Sequence, residues 1–189
     1  MLTAAHEERK IRMQYISHYI SPLGAILLAA DEKGLTGLWF EGQKYYGENL
    51  DTEHEEKKLP VFEQTGSWLD IYFSGKQPDF EPKIHMTGSP FRIKVWEILR
   101  KIPYGQTVTY GEIAKIIAKQ EGLQTMSAQA VGGAVGHNNI SVIIPCHRVV
   151  GADGSLTGYA GGIDKKLKLL ALERADIGNL FIPGKGTAL

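Results

Sequence analysis

Only one cysteine, Cys146, occurs among the 189 residues. A single thiol excludes an intrachain disulfide and any zinc or iron–sulfur centre built from several cysteines. Long hydrophobic runs are missing as well. Stretches such as Ala25–Ala30 fall far short of the ~18–20 residues that cross a bilayer. The opening residues include His6, Glu7, Glu8, Arg9 and Lys10, too charged for the apolar core of a signal peptide. These absences lead to the expectation of a soluble chain in a reducing, cytoplasmic setting without membrane contact. Net charge is also lacking, since 21 Lys and Arg balance 21 Asp and Glu. With 43% hydrophobic and 22% charged residues, the chain is neither disordered nor collagen-like and is long enough to bury a sizeable core.

The neutral total hides an asymmetry. Residues 1–85 carry 9 basic and 14 acidic side chains, whereas residues 86–189 carry 12 and 7. A polyanion is repelled by the first part and attracted by the second, provided the basic part supplies a docking element; otherwise the imbalance marks only a solvated face.

Hydrophobic periodicity organises the chain in the same two parts. The first dozen residues read as a polar helix start or a frayed tail. Gln14–Ile20 and Gly24–Ala30 read as strands, Asp31–Gly34 as a turn and Leu35–Phe40 as a third strand. Gln43–Lys58 is polar and reads as surface loop or weak helix. Pro60 suits a first helical turn, with Val61, Thr65, Trp68, Leu69 and Tyr72 at helical spacing until Gly75. Pro78 and Pro82 make Gln77–Thr87 an extended linker, which places a boundary near residue 85 and gives parts 1–85 and 86–189.

The second part opens with Ser89-Pro90, a cap followed by proline at the first helical position. Phe91, Val95, Ile98, Leu99 and Ile102 form its stripe. Thr109 and Glu112 spell a capping box ahead of Ile113, Ile116 and Ile117, expected on one helix face. Ser127 caps a further short helix running to about Gly136. Two short helices joined by a turn suit either core packing or a helix-turn-helix. The second helix is built from Ala128, Gln129, Ala130, Gly132, Gly133, Ala134 and Gly136 among others, at a cost of up to ~1 kcal/mol per glycine relative to alanine. Such small residues serve either close packing against another helix or close approach to a nucleic-acid backbone.

Ser141–Ile144 reads as a short buried strand ending at Pro145, followed by Cys146, His147 and Arg148. A lone cysteine beside such a run is either inert core or a reactive group. His147 and Arg148 need polar partners if buried and favour thiolate over thiol. In an extended strand, Cys146 and His147 point to opposite faces, so cooperation requires a bend at Pro145 or a bridging water, and a carboxylate to orient the imidazole.

Pro145-Cys146-His147-Arg148-Val149 resembles the active-site signature of the O(6)-alkylguanine-DNA alkyltransferase family, the methylated-DNA–protein-cysteine methyltransferases. The likeness continues in Pro103-Tyr104-Gly105, Thr109-Tyr110-Gly111-Glu112-Ile113-Ala114, Ala130-Val131-Gly132-Gly133-Ala134, Gly158-Tyr159-Ala160-Gly161-Gly162 and Leu172-Glu173. It covers residues 86–175 densely and in order, and the N-terminal part weakly. The resemblance implies an α+β protein in which an N-terminal ribonuclease-H-like sheet-and-helix domain packs on a helical C-terminal domain containing a helix-turn-helix. It implies that Cys146 accepts the alkyl group, His147 acts as base through a water, and Glu173 orients His147. Asn138 then braces the turn, while Tyr110 donates a proton toward guanine N3 and helps rotate the nucleotide. Val149, Tyr159 and Ala160 fall where the family surrounds the everted base. Ala128, Gln129, Ala130, Gly132 and Arg148 complete the expected substrate and DNA contacts. The partner implied is double-stranded DNA carrying O6-alkylguanine, with O4-alkylthymine as a second substrate. Transfer is irreversible and needs no metal or organic cofactor.

Three positions depart from the family pattern. Gln129 stands where many members have an arginine, so weaker or more salt-sensitive DNA binding is expected, or compensation by Lys94, Arg100 or Lys115. Asn139 replaces a frequent proline and is expected to loosen the turn. Ala160 offers only its backbone N–H where some relatives present a hydroxyl. Other readings are a non-enzymatic alkylguanine-DNA binder, which in this family lacks the cysteine, a thiol hydrolase using Cys146 and His147, and a transcription factor.

Overall fold

The computed structural model describes residues 13–184; the expectation for the first dozen residues lies outside them. Strands β1 (Gln14–Ser21), β2 (Gly24–Asp31) and β3 (Gly34–Phe40) form an antiparallel meander. A short strand β4 (His54–Glu56) adds in parallel to β1, giving the sheet order β3-β2-β1-β4. Gln43–Lys58 was expected to contain no strand. The exposed, acidic β4 escapes a reading by hydrophobic alternation because neither of its faces meets a core. On one face of β2, Ile26, Leu28 and Ala30 enter the main core, while Leu27 and Ala29 join Trp39 in a smaller cluster on the other. Both faces are covered, which explains the almost unbroken apolar runs of β2 and β3.

Helix α1 (Pro60–Phe73) starts at proline, whose missing N–H costs nothing in a first turn, and lies on the sheet. Phe62, Thr65, Trp68, Leu69 and Tyr72 are its buried residues; Val61, expected in that stripe, is only half-buried. The extended segment 77–87 does more than link. Leu35 N–H donates to the Lys83 carbonyl (2.8 Å) and His85 N–H to the Leu35 carbonyl (2.8 Å), so it lines the free edge of β3.

Four helices follow: α2 (Pro90–Leu99), α3 (Tyr110–Glu121), α4 (Ala128–Gly136) and α5 (Ile163–Leu172). Ser89 and Ser127 cap α2 and α4, and Thr109 with Glu112 closes a reciprocal capping box on α3. Trp96 donates its indole N–H to the Ala134 carbonyl (2.8 Å), tying α2 to α4. The inward arc of α3 is Ile113, Ala114, Ile117 and Ala118; Ile116, expected on that face, is 43% exposed. The two alanines let the helix settle closely and roll Ile116 outward. Two-residue strands β5 (Val108–Thr109) and β6 (Val149–Val150) pair in parallel. The helical and sheet parts join along β3: Leu38 N–H donates to the Asn139 carbonyl (2.8 Å), and Ser141 N–H to the Leu38 carbonyl (2.9 Å). Among the described residues no helix is long and apolar enough to cross a membrane.

Candidate active site

The chain leaving α4 reaches the sulfur through a run of turns, not through the strand expected over Ser141–Ile144. The run is buried, but Val142 sits at φ 69°, a left-handed conformation no ladder accepts. Asn138 supplies the bonds that a ladder would have made. Its Oδ1 accepts from Ile140 N–H (3.0 Å), and its Nδ2 donates to the carbonyls of Ile140 (3.3 Å) and Ile144 (2.8 Å). The same Nδ2 lies 3.1 Å from Cys146 Sγ. Asn139 does not loosen this segment, since its carbonyl takes the bond from Leu38 and its Nδ2 donates to Thr87 O (3.3 Å).

Past Pro145 the backbone tightens into a single 3-10 turn, Cys146–Arg148. Cys146 is 4% exposed and His147 fully buried. Burial pushes the Cys146 thiol above its usual pKa, against the Asn138 hydrogen bond and the Lys166 ammonium, which favour the thiolate.

Glu173, at the C-cap of α5, gathers the polar groups behind the sulfur. Its Oε1 accepts from His147 Nε2 (2.6 Å), Tyr72 Oη (2.7 Å) and Arg148 Nη2 (3.0 Å). Its Oε2 accepts from Arg148 Nε (2.8 Å) and Gly105 N–H (3.1 Å). Gly105 has φ 74°, and a Cβ there would lie 2.8 Å from the Glu173 carbonyl oxygen, so this approach requires glycine. Burial alone would raise the carboxyl pKa, but the bonds and charges of His147 and Arg148 outweigh it and hold the group well below the usual carboxylate range. Burial lowers the His147 pKa despite its carboxylate partner, favouring the neutral ring. An ionised carboxylate only accepts, so the proton sits on Nε2 and the lone pair on Nδ1. Nδ1 is buried with no protein partner, free to receive a proton.

A second cluster flanks the sulfur through the loop before α5. The Thr157 carbonyl accepts from Tyr110 Oη (3.0 Å) and Lys166 Nζ (2.6 Å), and Lys166 also donates to the Val149 carbonyl (2.5 Å). Lys166 is fully buried, and its pKa is lowered by burial to about 8. Burial raises Tyr110 to about 12, so its phenol stays protonated. Val149 and Tyr159 are buried beside this cluster and Ala160 is half-buried, its carbonyl accepting from Lys44 N–H (3.0 Å).

The remaining expected residues divide. Ala128, Gln129 and Ala130 are exposed on the first turn of α4, and an added Cβ at Gly133 or Gly136 would meet nothing within 4 Å. Gly132 is buried on the inner face. Arg148, expected on DNA, turns inward to Glu173 and to the Ile102 carbonyl (2.6 Å), because a buried guanidinium needs a carboxylate and acceptors. Lys94 and Arg100 are paired with Glu121 and Glu81, while Lys115 lines an open groove of about 530 Å³ between α3 and the start of α4. Tyr72 and Lys166 were not expected at the site. Periodicity reads Tyr72 as an apolar ring, and α5's charged surface hides Lys166. Among the described residues no three His, Cys, Asp or Glu side chains cluster to hold a metal ion.

Two family models match the chain: residues 14–85 match the 6-O-methylguanine DNA methyltransferase, ribonuclease-like domain, and residues 90–175 its DNA binding domain. A Methanosarcina acetivorans methylated-DNA–protein-cysteine methyltransferase is 43% identical over 159 residues, covering 84% of this chain and 97% of that protein. The solved Mycobacterium tuberculosis O6-methylguanine methyltransferase aligns with TM-score 0.72 and 38% identity over 92% of this chain and 97% of its own. Mycobacterium tuberculosis OGT in complex with DNA aligns with TM-score 0.71 and 38% identity, covering 88% of this chain and 99% of that one.

Proposed function

From a chain that belongs to the 6-O-methylguanine DNA methyltransferase family, we infer a DNA-repair protein that takes the alkyl group from O6-alkylguanine in DNA onto Cys146, once per molecule. The observation that carries the chemistry is the unpartnered Nδ1 of His147, with Nε2 anchored on Glu173, in the residue next to the only thiol. The thiol proton passes to Nδ1, directly or through a water, and the sulfur attacks the saturated carbon. As the S–C bond forms, the C–O6 bond breaks and its electron pair returns to the purine. Tyr110, kept protonated by burial, gives its proton to N3 after releasing the Thr157 carbonyl. The imidazolium and phenolate left behind neutralise each other through solvent. The thioether is not hydrolysed, so turnover stops at one.

Residues 128–130 with Gly133 and Gly136 supply the face that lies against DNA, in a helix-turn-helix made of α3 and α4. Residues up to 85 form a ribonuclease-H-like half, and the boundary lies at the end of segment 77–87. The guanine is everted into the space bounded by Val149, Tyr159 and Ala160, at a cost of a few kcal/mol. Because Cys146 is 4% exposed, a purine enters only if the loop around Tyr159 yields. Gly158 (φ 70°) and Gly162 (φ 91°) flank that loop with backbone freedom.

Incubation with a duplex carrying O6-methylguanine with labelled methyl tests the assignment. One label per protein, located on the peptide containing Cys146 and absent from Cys146→Ala, is the expected result. Label that never reaches the protein, or release of many product molecules per chain as in a thiol hydrolase, overturns it.

A further inference from the structure

We propose that Tyr72, contributed by helix α1 of the N-terminal part, is a positioning residue for alkyl transfer: its hydroxyl fixes the Glu173 carboxylate and tempers the basicity of His147. The proposal rests on the alkyl-transfer reading above and assigns a chemical task to a half of the molecule that otherwise only carries the sheet.

The ring of Tyr72 is fully buried and held on several sides. It stacks on Trp68 (centroids 5.2 Å, planes 10° apart) and meets Phe73 (5.4 Å) and Tyr104 (6.1 Å) edge-on. So constrained, its hydroxyl donates to Glu173 Oε1 at 2.7 Å, the oxygen that also accepts from His147 Nε2 at 2.6 Å. Tyr72 Oη stands 3.4 Å from that same nitrogen. Burial and the Glu173 charge push the phenol well above its usual pKa, so it is a permanent donor over any working pH.

Two donors on one oxygen share its negative charge. Each bond made by Tyr72 lessens the charge that His147 senses and keeps the imidazole neutral, with Nδ1 free. Without the hydroxyl, the carboxylate leans more fully on Nε2 and the protonated ring is favoured. The other groups facing the pair do not replace it. Arg148 already uses Nε and Nη2 on Glu173, and its guanidinium lies 5.6 Å from the Tyr104 ring. Tyr104 donates to the Leu172 carbonyl, and Arg174 acts on Tyr104 from further out. Tyr159 meets His147 edge-on at 6.4 Å, and the Lys166 charge disfavours the imidazolium from the other cluster.

The test is the pH dependence of single-turnover methyl transfer by the full chain from an O6-methylguanine duplex. It is read beside an NMR titration of the His147 imidazole in the free protein. Tyr72→Phe keeps the ring and removes the donor; its acid limb and its imidazole titration are expected to move to higher pH by about half to one unit. Replacing Tyr72 by 3-fluorotyrosine, a stronger donor of the same shape, is expected to move both the other way by a few tenths of a unit. Tyr19→Phe, which deletes a bond from β1 to Asp70 of α1 away from the site, leaves the profile in place. Superimposable profiles for wild type and both Tyr72 variants, or a rate loss uniform over pH, overturn the proposal and reduce Tyr72 to packing. A wild-type protein that takes up no methyl group defeats the alkyl-transfer reading instead, and the imidazole titration then decides the Tyr72–His147 coupling on its own.

Discussion

The two sides of the sulfur are built on opposite plans. Behind it, Glu173 accepts five hydrogen bonds from four residues, of which Tyr72, His147 and Arg148 are buried and Gly105 half-buried. In front, the first turn of α4 presents the exposed Ala128, Gln129 and Ala130, and further along it Gly133 and Gly136 lack Cβ atoms that would meet nothing. The chemistry needs a base held in one tautomer and one orientation, and only a saturated network in a low-dielectric interior fixes both. Docking on a phosphate-lined groove needs the reverse, a surface from which bulk has been removed. Substitutions behind the sulfur are therefore expected to damage stability and rate together, and substitutions in front to separate them.

The largest effect is expected from Glu173→Gln. It leaves the Arg148 guanidinium buried without its counter-charge and His147 Nε2 without its ionised acceptor, a loss of about 3–5 kcal/mol in denaturant unfolding, together with a fall in transfer rate of at least about 100-fold. The sign with pH is set by the depressed carboxyl pKa. The unfolded chain takes up the proton first, so the contribution of Glu173 is complete above the ordinary carboxylate range and is lost as pH falls through and below it. Wild type and variant should therefore converge in acid. A difference independent of pH would mean that the carboxylate charge is not what holds the cluster together.

Lys166→Met probes the same interior from its other flank. The lysine pKa is lowered from 10.5 to about 8. Between those values the unfolded chain binds more protons than the native one, so native stability relative to the variant rises with pH. The expected slope is about 1.4 kcal/mol per pH unit across that window. Thermal or urea unfolding of both proteins at pH 8 and pH 10 measures it, and parallel curves would place the amine in contact with water.

The smallest changes belong to the front. Gly133→Ala adds a methyl group into open space on a helix and is expected to stabilise by about 0.5–1 kcal/mol, while weakening binding to undamaged duplex several-fold. Gln129→Arg is expected to leave stability within about 0.5 kcal/mol and to steepen the salt dependence of log Kd by about 0.9, because each neutralised phosphate releases counterions. The glutamine therefore weakens binding and does not make it more salt-sensitive. If Gly133→Ala costs no affinity, α4 does not approach the DNA closely and the contrast between the two sides fails.

Much of this architecture is legible in local chemistry. Capping at Ser89, Ser127 and Thr109 with Glu112, and the proline at the start of α1, announce where helices begin, since each satisfies or dispenses with the free N–H groups of a first turn. The meander follows from short apolar runs separated by the Asp31–Gly34 turn, whose Asp31 Oδ1 accepts from Lys33 and Gly34 N–H. The segment 141–144 was misread because β-branched residues favour burial as much as extension. Only Ser141 N–H reaches a strand, at the Leu38 carbonyl of β3; beyond it the backbone is satisfied by the Asn138 side chain and by local bonds such as Ile143 N–H to the Ser141 carbonyl. Arg148 was assigned outward because its charge is visible in the sequence and its partner is not.

The order of residues by itself determined where the elements start and stop, which thiol is present and which imidazole follows it, because those matters are settled within a few peptide units. Only the tertiary structure decided that Tyr72 and Glu173, 101 positions apart, share a hydrogen bond, and that Lys166 is folded in beside the sulfur. A buried polar atom must find whatever partner packing brings within about 3 Å, and that partner is chosen by how helices and sheet close on one another, not by distance along the chain.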